Sequence, residues 1–170
     1  MSKEIDRTLD PIAEARRQWI RNGWPEAAPG MAAVTTIVRV GQIVTSMVEE
    51  ALAPLGLSFA RFEILRLLGF SRAGSLPMGK IGERLQVHPA SVTSAVKRLE
   101  RDGLVMRRVD DDDQRVVLAV LTDEGRHLLQ PATSRINEVF TTLGMGSTEL
   151  DGLTRSLGRI RIAAGDPVDV

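Results

Sequence analysis

The segment from Pro89 to Gly103 constrains the fold more than any other part of the chain. Pro89 suits the first position of a helix, where its missing N–H has no intrahelical partner to lose. Val92, Ala95, Val96 and Leu99 then fall at i, i+3, i+4 and i+7 on one face, and Asp102-Gly103 ends the helix. Upstream, Met78, Ile81 and Leu85 form a shorter stripe of the same period, and Gln86-Val87-His88 leaves room only for a tight turn between the two helices. Downstream, Leu104 to Val109 and Val116 to Leu121 are rich in β-branched residues and flank Asp110-Asp111-Asp112-Asp113-Gln114-Arg115, which predicts a hairpin with a polar tip. Short helix, tight turn, second helix and hairpin is the order of a winged helix-turn-helix. The fold class is accordingly mainly α with a small β-hairpin wing, the winged module occupying residues 58–121.

The flanks read as helices around that module. Residues 1–30 form an N-terminal arm with turns: Ile5 to Ile20 has helical potential, but Asn22-Gly23-Trp24-Pro25 and Ala28-Pro29-Gly30 punctuate the chain after it. From Met31, Val34, Ile37, Val38, Gly41, Val44, Met47, Val48 and Leu52 recur as a helical face, which Ala53-Pro54-Leu55-Gly56 closes. Ser58 offers an N-cap to a helix carrying Phe59, Phe62, Leu65 and Leu68, and Gly69 with the Ser71 to Pro77 loop ends it. Thr122 caps a helix with Asp123 and Glu124 in its first turn and Pro131 predicted to bend it. Ser147 opens the last helix, with Leu150, Leu153, Leu157 and Ile160 on one face, before a tail at 165–170. The apolar surface of 31–53 and 122–164 exceeds what a small winged module needs for its own core. These segments are therefore read as dimerisation helices of one domain spanning 31–164.

Composition excludes several functions. There is no cysteine, so disulfides, thiolate metal sites and a cysteine nucleophile are out, and a reducing compartment fits. Arg39, Gln42 and several Thr and Ser interrupt the apolar stretch from Met31 to Val48, which argues against a membrane span. The acid-bearing start Met1-Ser-Lys-Glu-Ile-Asp-Arg is unlike a secretory signal, and the expected location is the cytoplasm. His88 and His127 lie on separate elements, without a carboxylate at metal-ligand spacing. Asp110 to Asp113 lacks the glycine and distal glutamate of a calcium loop, and no phosphate loop, nucleophile elbow or zinc-helix motif occurs. The expectation is no cofactor, no metal and no enzyme.

Charge is informative only through its distribution, because 22 Lys plus Arg balance 22 Asp plus Glu. Residues 80–108 hold seven cations (Lys80, Arg84, Lys97, Arg98, Arg101, Arg107 and Arg108) against Glu83, Glu100 and Asp102, a local excess of four. Phosphate attraction decays within about 10 Å at moderate salt, so a basic module on an acidic body suffices to hold a nucleic acid. With its apolar stripe turned to the core, the 89–102 helix leaves Ala90, Ser91, Thr93, Ser94, Lys97, Arg98 and Arg101 outside. Small hydroxyl residues near the N-terminus allow entry into a major groove, and the longer cations reach flanking phosphates. The plainer reading of the same face is a solvated amphipathic helix. A winged-helix protein-interaction module without specific DNA binding is the alternative function.

Three stretches resemble the MarR family of bacterial winged helix-turn-helix transcription regulators. They are Leu57-Ser-Phe-Ala-Arg-Phe-Glu-Ile-Leu, then Val87-His-Pro-Ala-Ser-Val-Thr-Ser-Ala-Val-Lys-Arg-Leu-Glu-Arg-Asp-Gly-Leu-Val, then Asp113-Gln-Arg115 followed by Leu121-Thr-Asp-Glu-Gly125. The resemblance spans roughly Val34 to Leu157. It implies a homodimeric repressor that reads a pseudo-palindromic double-stranded operator through one recognition helix and one wing per subunit. Carried across, Ser91, Thr93, Ser94, Lys97 and Arg98 lie in or beside the major groove, and Arg101, on the same outer face by helical spacing, joins them as a candidate DNA contact. Arg115 is the wing arginine of the family's Asp-x-Arg motif, and Asp113 orients it. An arginine at a hairpin tip can enter a narrow minor groove, or can serve only as an exposed charge adding salt-dependent affinity. The resemblance also implies release by a small aromatic or phenolic effector. Met47, Phe59, Phe62 and Leu65 are candidates to line its cavity, although residues of this kind at helical spacing also pack as ordinary core. Trp19 and Trp24 have no assigned role.

Overall fold

The computed structural model of the chain describes residues 9–168. It divides into a first unit ending at Phe59 and a second beginning at Ala60.

In the first unit, α1 (Pro11–Arg21) opens on an Asp10 cap whose carboxylate accepts the N–H groups of Ile12 and Ala13 at 2.9 and 3.2 Å. The predicted arm of turns through residue 30 is corrected by this helix and by α2, which spans Ala28–Leu52. Pro29 sits in the first turn of α2, where a missing N–H costs nothing, so the Ala28-Pro29-Gly30 sequence is a helix start rather than a break. Residues 5–8 of the predicted arm helix lie outside the described residues. The rings of Trp19 and Trp24 meet at 5.6 Å between centroids, with 58° between their planes. A short 3-10 turn, Ala53–Leu55, then leads to Gly56 in the left-handed region.

By length and composition α2 is long and apolar enough to cross a bilayer, contrary to the sequence expectation. Its hydroxyl residues are less polar in place than on paper. Thr35 and Thr36 donate back to the carbonyls of Met31 and Ala32 at 2.9 and 2.8 Å, satisfying their hydroxyls within the helix. Val34, Ile37, Val38, Val40 and Ile43 are left exposed along this helix.

The second unit holds α3 (Phe59–Phe70, entered from the first), β1 (Ser75–Pro77), α4 (Met78–Leu85), α5 (Pro89–Arg101), β2 (Val105–Val109), β3 (Val117–Leu121), α6 (Asp123–Thr141) and α7 (Ser147–Ala163). The strands form an antiparallel sheet in the order β1-β3-β2, with Leu76 and Arg107 both registered on Ala119. β1 is an addition to the predicted hairpin. It lies within the stretch read as a loop, because a strand this short shows no alternation. Leu104 and Val116, expected to begin the two strands of the hairpin, lie just outside them. Leu104 is used to close α5, and the Val116 N–H bonds the Asp113 carbonyl at 2.9 Å inside the wing turn. α6 carries Pro131 within it without a break.

The core of this unit runs from α3 (Ile64, Leu65, Leu68) through α4 and α5 (Ile81, Val92, Val96, Leu99) to the sheet and α6, all buried. Thr122 caps α6 by accepting the Gly125 N–H at 3.0 Å, and its hydroxyl donates to the Gly103 carbonyl at 2.8 Å. A Cβ at Gly125 would lie 2.2 Å from the Leu104 carbonyl oxygen, so only glycine permits α6 to start this close to the end of α5.

Candidate nucleic-acid interface

α5 is held at both ends and open along one side. At its start the His88 imidazole Nδ1 accepts the Ala90 N–H at 3.2 Å, and Pro89 occupies the first turn. The preceding turn places Gln86 in the left-handed region at φ 54°, with the Val87 N–H on the Gly82 carbonyl at 3.1 Å. A Cβ at Gly82 would stand 3.3 Å from the Val87 carbonyl oxygen, and this close approach sets the angle between the two helices. At the far end Gly103, with φ +74°, donates to the Glu100 carbonyl at 3.0 Å, and Leu104 donates to that of Leu99 at 2.9 Å. This pair of bonds is a Schellman closure.

Ion pairs then fix the end of α5 to its neighbours. Arg61 of α3 donates to the Asp102 carboxylate at 2.6 Å, and Arg101 Nε reaches its other oxygen at 3.2 Å. Desolvation acts to raise the Asp102 pKa, but the hydrogen bonds from Arg101 and Arg61 outweigh it and hold this carboxyl below its usual range. Glu100 meets the Arg107 guanidinium of β2 at 2.7 Å, and that hydrogen bond draws its carboxyl down as well. Neither pairing had a sequence signal. Arg61 and Asp102 are 41 residues apart, and Arg107 read as one more basic residue of the wing.

These pairs change the meaning of the basic excess. Lys80 is bound to Glu83, Arg101 to Asp102, Arg107 to Glu100 and Arg108 to Asp111. Among the described residues, the cations of this stretch without an ion pair are Arg84, Lys97 and Arg98. Ser91, Thr93, Ser94, Lys97, Arg98 and Arg101 are all exposed, opposite the buried Val92, Val96 and Leu99, so the structure gathers the predicted residues of α5 onto one face. Thr93 differs in one detail. Its hydroxyl, expected to be free for a base edge or phosphate, donates to the Pro89 carbonyl at 3.0 Å.

In the wing, Arg115 forms a bidentate fork with Asp113, Nε to Oδ1 and Nη2 to Oδ2, both at 3.0 Å. The Arg115 N–H also reaches Oδ1 at 3.0 Å, and these bonds depress the Asp113 carboxyl while raising the guanidinium. The Arg115 side chain is 90% exposed, so its direction is set from within the loop. The acidic run is a folded turn: Asp110 Oδ1 accepts the N–H groups of Asp112 and Asp113 at 2.9 and 3.3 Å, and Asp111 and Asp112 point outward.

The residues named for an effector cavity fall in both units. Met47 and Phe59, in the first, are half-buried, whereas Phe62 and Leu65, in the second, are core side chains at 5% and 0% exposure. No cluster of three or more His, Asp or Glu suited to a metal ion occurs among the described residues.

Residues 57–117 match the MarR family model. The HTH-type transcriptional repressor Rv2887 of Mycobacterium tuberculosis is 32% identical over 96 residues, which are 56% of this chain and 68% of that protein. In two further curated relatives from Bacillus subtilis, YdgJ and MhqR, the match covers 44% and 75% of the relative's own length. The crystal structure of Sco5413, a MarR family transcriptional regulator from Streptomyces coelicolor, is 44% identical and superposes with a TM-score of 0.73 over 82% of this chain and 99% of that one. CouR from Rhodococcus jostii RHA1, crystallised with p-coumaroyl-CoA, is 28% identical, with a TM-score of 0.67 over 79% of this chain and 93% of its own. Helix-turn-helix, wing and flanking helices thus recur together in proteins of one kind, and the chain belongs to the MarR family of winged helix-turn-helix transcriptional regulators.

Proposed function

We propose that the protein is a cytoplasmic, homodimeric repressor without enzymatic activity, which binds a pseudo-palindromic double-stranded operator and is released by a small aromatic or phenolic effector. The observation that carries this reading is the outer face of α5, where Lys97 and Arg98, which form no ion pair among the described residues although Lys97 lies near enough to Glu100 to help lower its carboxyl, stand beside Ser91, Thr93 and Ser94. Cations left unpaired on a rigid, capped helix are available to phosphates at no cost in broken ion pairs. In this reading the first turns of α5 enter the major groove, Lys97, Arg98 and Arg101 hold the backbone, and Arg115 enters the adjacent minor groove with its direction set by Asp113. The exposed apolar residues of α2 support a second subunit, whose two-fold axis spaces the half-sites about 34–36 Å apart.

Release comes from differential binding. An effector that prefers a different spacing of the two recognition helices lowers operator affinity by its preference for that state. The relative CouR, with its bound p-coumaroyl-CoA, supports the aromatic class, and the lack of cysteine removes thiol oxidation as the trigger. The test is retention of genomic duplex fragments by the purified protein across a salt series. Sequence-selective retention that falls with a log–log slope of about −0.9 per neutralised phosphate supports the reading. Uniform or absent retention favours the protein-interaction module instead.

A further inference from the structure

Thr93 lies where α4 and α5 meet. Its hydroxyl proton is committed to the Pro89 carbonyl at 3.0 Å, so the residue has no proton to donate to a base, and the γ-methyl remains as its apolar group. Beside it is a small notch of about 80 Å³ lined by Met78, Gly79, Gly82, Pro89, Val92 and Thr93, almost all of it apolar surface. The exposed first turn of α5, Pro89 and Ala90, extends the same character onto the recognition face. The exposed His88 imidazole precedes this surface and Ser91 and Ser94 follow it. Pro89, Ala90 and Thr93 thus bring methyl and methylene groups to this edge, next to a recess larger than one methyl group.

On the reading of α5 as the DNA-contacting helix, we propose that this edge is a thymine reader. The 5-methyl of a thymine in each half-site packs against the Thr93 γ-methyl and Pro89 at the mouth of the notch. Among the groups exposed in the major groove the thymine methyl is the apolar one, and threonine methyl and alanine side chains are its natural contacts. A cytosine or a phosphate gains nothing from such a surface. Specificity at this base pair comes from burying a methyl group and not from the hydroxyl that the residue type suggests.

The test replaces thymine by deoxyuridine, one position at a time, in a duplex operator recovered by selection, and measures Kd for the full-length protein. One position in each half-site is expected to weaken binding about fourfold, the value of one buried methyl. Thr93→Ser, which keeps the hydroxyl bond and removes the methyl, should bring the thymine-to-uracil ratio at that position to one. Thr93→Val, which keeps a methyl and loses the hydroxyl, should retain the preference. Selective operator binding with every deoxyuridine position neutral overturns the thymine reader and leaves the DNA-binding function standing. So does a preference kept by Thr93→Ser and lost in Thr93→Val. Failure to recover any selectively bound duplex overturns the function and this inference together.

Discussion

α5 is open to solvent along one side and α2 along most of its length, and the difference between what they expose separates two kinds of incompleteness. Of the apolar stripe of α5, Val92, Val96 and Leu99 are buried at 2% exposure or less and Ala95 is half-buried, and the outer face carries hydroxyls and cations. On α2 the inverse holds: Val48 and Leu52 are buried, yet Val34, Ile37, Val38, Val40 and Ile43 stand 42–61% exposed. A solvated polar face is stable alone and gains from a charged ligand. An apolar face of this extent gains from removal from water. On the proposed reading, α5 is a finished surface that recognises and α2 an unfinished one that assembles.

The comparison breaks first at α5. Replacing Thr93 and Ser94 together by Glu sets carboxylates against base edges and phosphates, and operator affinity should fall by on the order of a thousandfold while the circular dichroism spectrum is unchanged. Survival of specific binding would mean that the polar face is ordinary solvated surface. At α2, Val38→Asp places a charge in each copy of the proposed subunit contact, and the dimer dissociation constant should rise by about a hundredfold in sedimentation. An unchanged constant would leave these apolar residues without a partner. Arg115→Ala should weaken operator binding about tenfold and reduce the salt slope by about one, with the melting temperature unmoved because the side chain is 90% exposed.

Smallest in effect is Arg107→Gln, which removes the pair that joins α5 to β2. A loss of about 1–3 °C in melting temperature is expected, as for a half-exposed ion pair. Glu100 and Asp113 have carboxyl pKa values lowered by their arginine partners, so their contributions are complete above the ordinary carboxylate range and are lost as pH falls through the lowered values. Operator affinity measured between about pH 6 and 8 should accordingly carry no dependence from the wing.

Most of the recognition module was legible because its signals are local. Pro89 at the helix start, the Val92 to Leu99 period and the Asp102-Gly103 stop each act within a few residues, and the structure obeys them from Pro89 to Arg101. The Asp113–Arg115 fork was legible for the same reason, being a contact between residues two apart. What escaped reading was tertiary or conditional. The arm boundary failed because proline and glycine serve both as breaks and as helix starts, and only the caps decide between them. β1 exists by pairing with β3, a partner more than 40 positions away with no pattern of its own to announce it. The Thr93 hydroxyl was counted as a contact because its type permits one, and only coordinates reveal that the helix had already claimed it.

The bridge between Glu100 and Arg107, with Thr122 latched to Gly103, also carries a lesson in phasing. It joins α5 to β2, the strand that leads into the wing loop, and on the proposed reading this fixes the span between the two DNA contacts. Inserting or deleting a base pair between the stretches met by α5 and by Arg115 would throw the two probes out of step along the duplex. On that same reading, adjustable length is left at the centre of a palindromic operator, between the two proposed protomers.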